Sequence, residues 1–316
     1  MSARPLVIAN PKAGSGRGAK LDEQLKVIES TLHGVDIALT ERPRHASELA
    51  ERAAVEGREV VVAFGGDGSI HEVVNGLMRA REAGHTGTAL GVIGRGTGSD
   101  FNKTLGIEPR LDRFLAVISA GHTRSIDVGR LRFAGPSGSE TAYFMNILSA
   151  GMGGLVDRYV HETAGWAGGK AGYFLASTRA LIESQVGKLR ARIELDGETR
   201  EEQLSTRQIS ICNGRYFGSG MHVAPMAKLD DGAFDVIDMG DASRLKFALS
   251  SSAVYSGAHL KNPDVKHFRC QKLSLEILNE RARPVFLLDV DGEPLGGLPL
   301  EVELLPRALR VLLPSG

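Results

Sequence analysis

Acidic and hydroxyl side chains stand among glycines in three short segments of this chain, each close behind an apolar run. The segments are NPKAGSGRG (10–18), GGDGS (65–69) and GRGTGSDF (94–101). Bare backbone lets amide N–H groups approach phosphate oxygens, and the N-terminus of a following helix adds positive dipole. Asp67 stands between two glycines, and a carboxylate among phosphates needs a cation, usually Mg²⁺. The pattern therefore predicts a site for a nucleoside triphosphate with its magnesium.

Each of these loops, taken alone, is also compatible with an ordinary strand-to-helix turn, and Asp67 with a helix N-cap. None of the three fits the P-loop pattern or G-x-G-x-x-G. Three such loops on one predicted sheet edge, one with an acid and two with hydroxyls, favour ligand binding over turns alone.

Two acidic turns lie late in the chain: Asp230-Asp231-Gly232, and Asp291-Gly292-Glu293 after the apolar run VFLLDV. Phosphoryl transfer to an alcohol needs in-line placement, neutralisation of charge by Mg²⁺ and a carboxylate that accepts the hydroxyl proton. Without further context both turns are more typical of hairpins with solvated acids.

Short apolar strands alternating with helices must position the three loops. Strands are predicted at 6–10, 35–40, 59–64 and 89–94, with helices at 45–56, after Gly68 and at 111–120. This alternation predicts an α/β domain around a parallel sheet over residues 1–126. Residues 127–316 read as β-rich apart from helices near 170–186 and 243–257. The last segment, LEVELLPRALRVLLP (300–314), either closes this β domain or returns to the first.

The composition limits the classes of partner and compartment. The 316 residues suffice for two domains, and 38 Lys and Arg balance 38 Asp and Glu, so no nucleic-acid partner is expected. Cys212 and Cys270 stand in strand-like runs and read as buried thiols in a reducing compartment. With no secretory leader and no apolar run of membrane-spanning length, we expect a cytoplasmic protein.

The ordered motifs resemble the diacylglycerol kinase catalytic family in its bacterial soluble lipid kinase branch, which is related to sphingosine and ceramide kinases. GGDG alone is shared with NAD kinases, whereas the ordered set is specific. The segments that carry the resemblance span nearly the whole chain: NPKAGSG, Thr40 with RHASELA, GGDGSIHEVVNGL, GTGSDFNKTLGI, IDVG (126–129), NGRYFGSGMHVAPMAKLDDGAFDV (213–236) and LDVDGEPL (288–295).

The resemblance implies an N-terminal α/β nucleotide domain of NAD kinase/diacylglycerol kinase type and a C-terminal β-sandwich, with ATP and lipid meeting between them. Glu293 matches the proposed general base, with Asp291 beside it and Asp67 near the phosphates. A regulatory or structural Mg²⁺ site is implied by Asp231 and by the backbone carbonyls of Lys228 and Ala233. The implied ATP contacts are Asn10, Gly14, Thr40, Gly66, Asp67, Gly68, Ser69, Ile70, His71, Glu72 and Thr97.

The chain departs from the family pattern at several positions. Ser69 replaces a threonine and keeps the hydroxyl, whereas His71 stands where asparagine is common. Arg95 precedes Gly-Thr, where it either adds a phosphate contact or points to solvent, and Ser99 replaces the asparagine of NDF. These departures bear on nucleotide preference and rate more than on the reaction.

The predicted function is ATP- and Mg²⁺-dependent phosphorylation of a hydroxyl on a diacylglycerol-like or related lipid. The alternatives are an NAD kinase, and a catalytically silent regulator that binds nucleotide or lipid. The segment HETAGWAGGKAGYFLAS (161–177) either covers an acyl chain, rests on a membrane surface or packs its own helix into the core. A homodimer is compatible with the sequence, which does not determine the oligomeric state.

Overall fold

The computed structural model describes residues 4–11, 18–95, 100–135, 138–163 and 169–314. The chain divides into two compact units. The first comprises Met1–Val128, Gly218–Gly220 and Pro306–Gly316, and the second Gly129–Phe217 and Met221–Leu305. The assignment of a nucleotide to one unit and a lipid to the other stays a prediction.

The first unit is built on a parallel sheet. Its strands are β1 (Leu6–Ala9), β2 (Asp36–Leu39), β3 (Val60–Gly65) and β4 (Ala89–Gly94), in the order β2-β1-β3-β4. Arg310 and Val311 of the last segment pair in parallel with β4, so its end returns to this unit. The central strands are apolar and fully buried, as expected for a sheet covered by helices.

Five helices connect or flank these strands: α1 (Gly18–Leu32), α2 (His45–Val55), α3 (Asp67–Glu82), α4 (Asp100–Leu105) and α5 (Leu111–Ala120). Helices α2 and α3 pack closely at Gly76, where an added Cβ would lie 2.1 Å from the Ser47 carbonyl oxygen. Glycine is therefore required there by the close approach of two backbones. The predicted alternation of strands and helices is confirmed.

The second unit contains two antiparallel sets of strands. One set has the order β14 (Lys266–Cys270), β13 (Phe234–Asp238), β10 (Gln208–Cys212), β7 (Ile147–Gly151) and β16 (Leu287–Val290). The other joins β6 (Gly138–Phe144), β5 (Thr123–Gly135), β17 (Glu293–Leu312), β15 (Lys272–Ile277), β8 (Gly187–Leu195) and β9 (Glu198–Thr206). Strands β16 and β17 form a hairpin, and β11 (Tyr216–Phe217) and β12 (Met221–His222) form a separate short ribbon.

One apolar core lies within the second unit and takes side chains from both sets of strands. The Phe144 and Phe234 rings stack inside it with centroids 5.3 Å apart. Gly129 faces the Phe144 ring so closely that a Cβ would lie 2.0 Å from a ring carbon, which accounts for the glycine of the IDVG segment.

The second unit also contains helices α6 (Met152–Thr163), α7 (Gly169–Glu183) and α8 (Arg244–Ser250), followed by a 3-10 turn at Ser251–Ser256. Helix α6 was not predicted, because its first turn contains Gly153 and Gly154, which usually disfavour helix. Both glycines face close neighbours: a Cβ on Gly154 would lie 2.5 Å from the Leu287 backbone. No helix in the described part of the chain has the length and apolar character needed to cross a bilayer.

Candidate functional site

The carboxyl ends of β1, β2 and β3 place Asn10, Thr40 and the GGDG segment at one edge of the parallel sheet. The Asn10 amide N–H donates to the Phe64 carbonyl at 3.1 Å, and the Thr40 amide N–H donates to the Ala9 carbonyl at 2.9 Å. The Asn10 side chain donates to Ser69 Oγ at 3.2 Å, across 59 residues of sequence. Residues predicted from separate loops therefore lie together, as the parallel register requires.

Gly66 is the N-cap of α3 and Asp67 its first helical residue, so the alternative in which Asp67 caps the helix is wrong. Gly66 has φ −84° and ψ −175°, extended values that any residue can adopt. Among the described residues, an added Cβ there would meet only the Arg95 carbonyl oxygen, at an ordinary 3.8 Å. Neither the backbone angles of Gly66 nor its described neighbours therefore require a glycine. Residues 66–69 are half-buried, with Gly68 in the first turn of the helix.

Arg95 lies at the same edge, one residue after β4. Its amide N–H donates to the Gly65 carbonyl at 2.7 Å, and its guanidinium lies over the Phe64 ring, 5.3 Å from the centroid. The side chain is half-buried, and Nη1 is buried with no hydrogen-bond partner among the described residues. Of the two alternatives for Arg95, extension into solvent is therefore wrong.

Three predicted nucleotide contacts on α3 have clear roles in the fold. Ile70 is 1% exposed and belongs to the apolar core, so only its backbone is open to a ligand. His71 is buried, and Asn75 Nδ2 lies 3.2 Å from its Nε2. The Glu72 carboxylate accepts from the Arg44 amide at 2.9 Å and from the Ala46 amide at 3.1 Å. Glu72 thereby binds backbone amides at the start of α2, where a negative charge is favourable.

Two predicted nucleotide contacts, Gly14 and Thr97, lie outside the described residues, as does Ser99. Asp100, which the sequence reasoning did not single out, begins α4 and is 5% exposed. It accepts from Lys103 Nζ at 2.9 Å and from the Ser219 amide at 2.8 Å. Burial raises the pKa of this carboxyl, and the lysine opposes that rise. Asp100 thus ties the glycine-rich Gly218–Gly220 segment to α4 within the first unit.

In the second unit, the β16–β17 hairpin presents Asp291 and Glu293. The Asp291 carboxylate accepts three backbone N–H groups, from Met145, Asn146 and Ile147, each at 3.0 Å. Asp291 itself has a left-handed φ of 53°. The three hydrogen bonds give it an anchoring role that the sequence did not show. Glu293, the first residue of β17, is half-buried.

A pair of carboxyl groups, Asp157 on α6 and Asp289 on β16, was missed by the sequence reasoning. Asp157 is half-buried as a residue, but its Oδ2 atom is fully buried. Asp289 is 4% exposed, and its Oδ1 accepts from the Gly292 amide at 2.9 Å. Burial raises the pKa of Asp157 to about 6, and the neighbouring Glu293 adds to the rise. Burial, followed by the neighbouring Asp157, also raises the pKa of Asp289 well above its ordinary value. The two carboxyl groups interact directly, so they titrate as a coupled pair.

The signal for this pair was an acid inside an otherwise apolar strand, LLDV, where a charge is rarely buried alone. Its partner on α6 is 132 positions away in sequence, and no local pattern connects the two.

The predicted metal-binding loop, KLDDGAF, is described in full. Lys228 is exposed and Ala233 is buried, while 27% of the Asp231 side chain is exposed. Asp231 Oδ2 pairs with Arg269 Nη2 at 2.6 Å. In the described ranges, no group of three or more His, Cys, Asp or Glu side chains could hold a metal ion.

A separate groove lies between α1 and α5, lined mainly by Val27, Leu111, Leu115 and Ala116. It lies on the helices and away from the carboxyl ends of the strands, and its lining offers a single carboxylate, Asp112. It therefore carries none of the chemistry predicted from the motifs.

Two protein families match two successive segments of the chain, much as the structure divides it into two units. Residues 4–131 match the family described as "Diacylglycerol kinase catalytic domain". Residues 146–313 match the "YegS C-terminal NAD kinase beta sandwich-like domain". A diacylglycerol kinase of Staphylococcus aureus (strain bovine RF122 / ET3-1) is 28% identical over 319 residues, covering 100% of this chain and 94% of the relative.

Among solved structures, a diacylglycerol kinase from Bacillus anthracis is similar over 98% of this chain and 97% of that one. Its TM-score is 0.73 at 23% identity. Yeast NADH kinase, solved with NADH, is similar over 100% of this chain and 84% of that chain, with a TM-score of 0.50 at 11% identity. The predicted fold class, an α/β domain followed by a β-sandwich, and the predicted family resemblance are confirmed.

Proposed function

The chain belongs to the family of lipid kinases that join a diacylglycerol kinase catalytic domain to a YegS C-terminal NAD kinase beta sandwich-like domain, and on this premise we propose its reaction. It transfers the γ-phosphate of ATP, with Mg²⁺, to a hydroxyl of a diacylglycerol-like lipid. The observation that carries the proposal is the meeting of Asn10, Ser69 and the start of α3 at one edge of the parallel sheet.

This edge offers the phosphates of a nucleotide several donors. The first turn of α3 has amide N–H groups without partners in the helix, and its dipole favours an anion. Neither its backbone angles nor its described neighbours require a glycine at position 66, and close approach of a ligand accounts for the missing side chain. The buried Nη1 of Arg95 supplies a fixed positive charge at the same edge.

The donor set also fits a magnesium ion that accompanies the nucleotide. Asp67 places a carboxylate at the same helix N-terminus that would receive phosphate, and two anions there repel each other unless a cation lies between them. Asp67 would hold the Mg²⁺, and the ion would neutralise charge on the phosphates. The hydroxyl of Ser69, two residues further along α3, is another oxygen in this first turn.

In the second unit, Glu293 is the candidate general base for the lipid hydroxyl. Asp291 has both carboxylate oxygens bound to backbone amides, so its part is to anchor the hairpin on which Glu293 stands. Asp289 holds the Gly292 amide of the same turn. A base fixed in this way loses little orientational freedom when it accepts the hydroxyl proton.

A lipid substrate would also explain why two helices of the second unit expose apolar side chains. Helix α7 exposes Phe174, Leu175 and Ile182, and α8 exposes Leu245 and Leu249. The two helices are in contact: Arg244, the first residue of α8, donates from Nη2 to the carbonyl oxygen of Ser184, which directly follows α7, at 3.0 Å. Apolar side chains grouped in this way are typical of a surface that rests on lipid, so we propose a peripheral membrane contact here.

The test is a transfer assay with ATP labelled at the γ-phosphate. The acceptors are diacylglycerol, sphingosine and ceramide in mixed micelles, and NAD in buffer, each with Mg²⁺ and with EDTA. We expect label in a lipid, and only with Mg²⁺. Label in NAD would favour the NAD kinase alternative, and ATP binding without any labelled product would favour the silent regulator.

A further inference from the structure

The Asp231 loop of the second unit carries a contact that its expected metal site does not explain. Asp231 Oδ2 lies 2.6 Å from Nη2 of Arg269, a residue 38 positions later in the sequence. Arg269 stands on β14, where antiparallel pairing puts it opposite Asp235 of β13. The strand register therefore brings the guanidinium to the end of the loop that precedes β13.

Gln271, two residues after Arg269, also binds the Asp231 loop. Gln271 Nε2 lies 3.3 Å from the Gly232 carbonyl oxygen and 3.3 Å from Asp196 Oδ1. Gln271 Oε1 accepts from the Asp196 amide at 3.0 Å. Arg269 thus binds the Asp231 carboxylate, and Gln271 binds the carbonyl oxygen of the following residue, Gly232. Both oxygens are held by side chains of the protein, without a cation.

The charges at this loop do not fit a divalent ion. Mg²⁺ is held in proteins by one or two carboxylates, with other oxygens and several waters around it. Here the one carboxylate assigned to the ion faces a guanidinium, which stays charged at any working pH and is only weakly hydrated. An ion on Asp231 would stand a few ångströms from that fixed positive charge and be repelled by it.

We infer that the Arg269 guanidinium holds the Asp231 loop in the place where the family resemblance expects a divalent cation. Arg269 and a divalent ion compete for one carboxylate, and in this chain the arginine occupies it. The inference is independent of the proposed reaction and is tested without ATP or lipid.

The experiment measures the unfolding temperature of the full chain in EDTA and in millimolar MgCl₂, with NaCl added to equalise ionic strength. The wild type is expected to unfold at the same temperature in both. Arg269→Gln frees Asp231, so it should unfold up to about 4 °C lower in EDTA, since a partly exposed ion pair contributes about 1 kcal/mol or less. It should recover part of that loss in MgCl₂.

Two variants complete the design. Asp231→Asn combined with Arg269→Gln should show no response to MgCl₂, because the competing carboxylate is gone. Arg190→Gln removes a more exposed ion pair, with Glu276 on another strand, and should show no response either. A wild type that gains stability in MgCl₂ and loses the gain on Asp231→Asn would overturn the inference. A lack of response in Arg269→Gln would also overturn it.

Discussion

Replacing Asp157 by Asn tests whether the Asp157–Asp289 pair of the second unit binds a proton more tightly in the folded protein than in the unfolded chain. In the native protein the pKa of Asp157 is raised to about 6, against an ordinary 3.8, chiefly by burial. A raised pKa means that the folded state binds protons more tightly than the unfolded chain. The stabilisation from that proton is complete below about pH 3.8 and is lost as the pH rises through about 6.

The size of the effect follows from the two pKa values. The change from 3.8 to about 6 corresponds to about 3 kcal/mol, at 1.36 kcal/mol for each unit of pKa. The side-chain amide introduced by Asp157→Asn carries no charge, and its Nδ2 could still donate to Asp289. The free energy of unfolding of Asp157→Asn, relative to wild type, should therefore rise by up to about 3 kcal/mol between about pH 4 and pH 7.5.

Urea unfolding followed by circular dichroism, at a series of pH values, measures this difference directly. Glu201→Gln is the control, because Glu201 is an exposed acid of the same unit and its removal should give no pH-dependent difference. A difference between Asp157→Asn and wild type that stays constant over this pH range would refute the reasoning.

Four further changes test the candidate site and the fold around it. Asp67→Ala should abolish transfer in the labelled-ATP assay while circular dichroism stays native, because the change opens no core cavity; near-normal turnover would exclude its role with magnesium. Glu293→Gln should lower kcat by about 10²–10⁴ while ATP affinity, measured by calorimetry, stays the same; a rate within a few-fold of wild type would place the base elsewhere. Arg95→Gln should raise the KM for ATP with little effect on the apparent KM for lipid, since its buried Nη1, which has no partner among the described residues, is available to phosphate; an unchanged KM for ATP would leave Arg95 as a packing residue. Gly76→Ala should destabilise the protein by about 1–3 kcal/mol or more in urea unfolding, because its Cβ would meet the Ser47 carbonyl at 2.1 Å; wild-type stability would show that α2 and α3 separate without cost.

The position of the nucleotide edge could be predicted from the sequence because it follows from local pattern. Apolar runs ending in glycine-rich loops defined the strands, and parallel strands bring their carboxyl ends to one edge. Asn10 and Ser69 therefore had to lie near each other, whatever the details of packing. Helix α6 could not be predicted in this way, because Gly153 and Gly154 at its start serve close approaches to Ser149 and to the Leu287 backbone that only the folded chain reveals.

The tertiary structure decided which acids are open to chemistry and which are bound within the fold. Glu72, Asp231 and Asp291 all stand in motifs typical of a site, yet Glu72 holds the start of α2, Asp231 holds Arg269, and Asp291 holds three backbone amides. Asp157 stands in no motif, and Asp289 stands in LDVDGEPL without any sign there of its contact with Asp157. The residue types and the strand ends were readable because they depend on neighbours within a few positions. The partners of each carboxylate depend on strand register and helix packing across tens to more than a hundred residues, which no local pattern encodes.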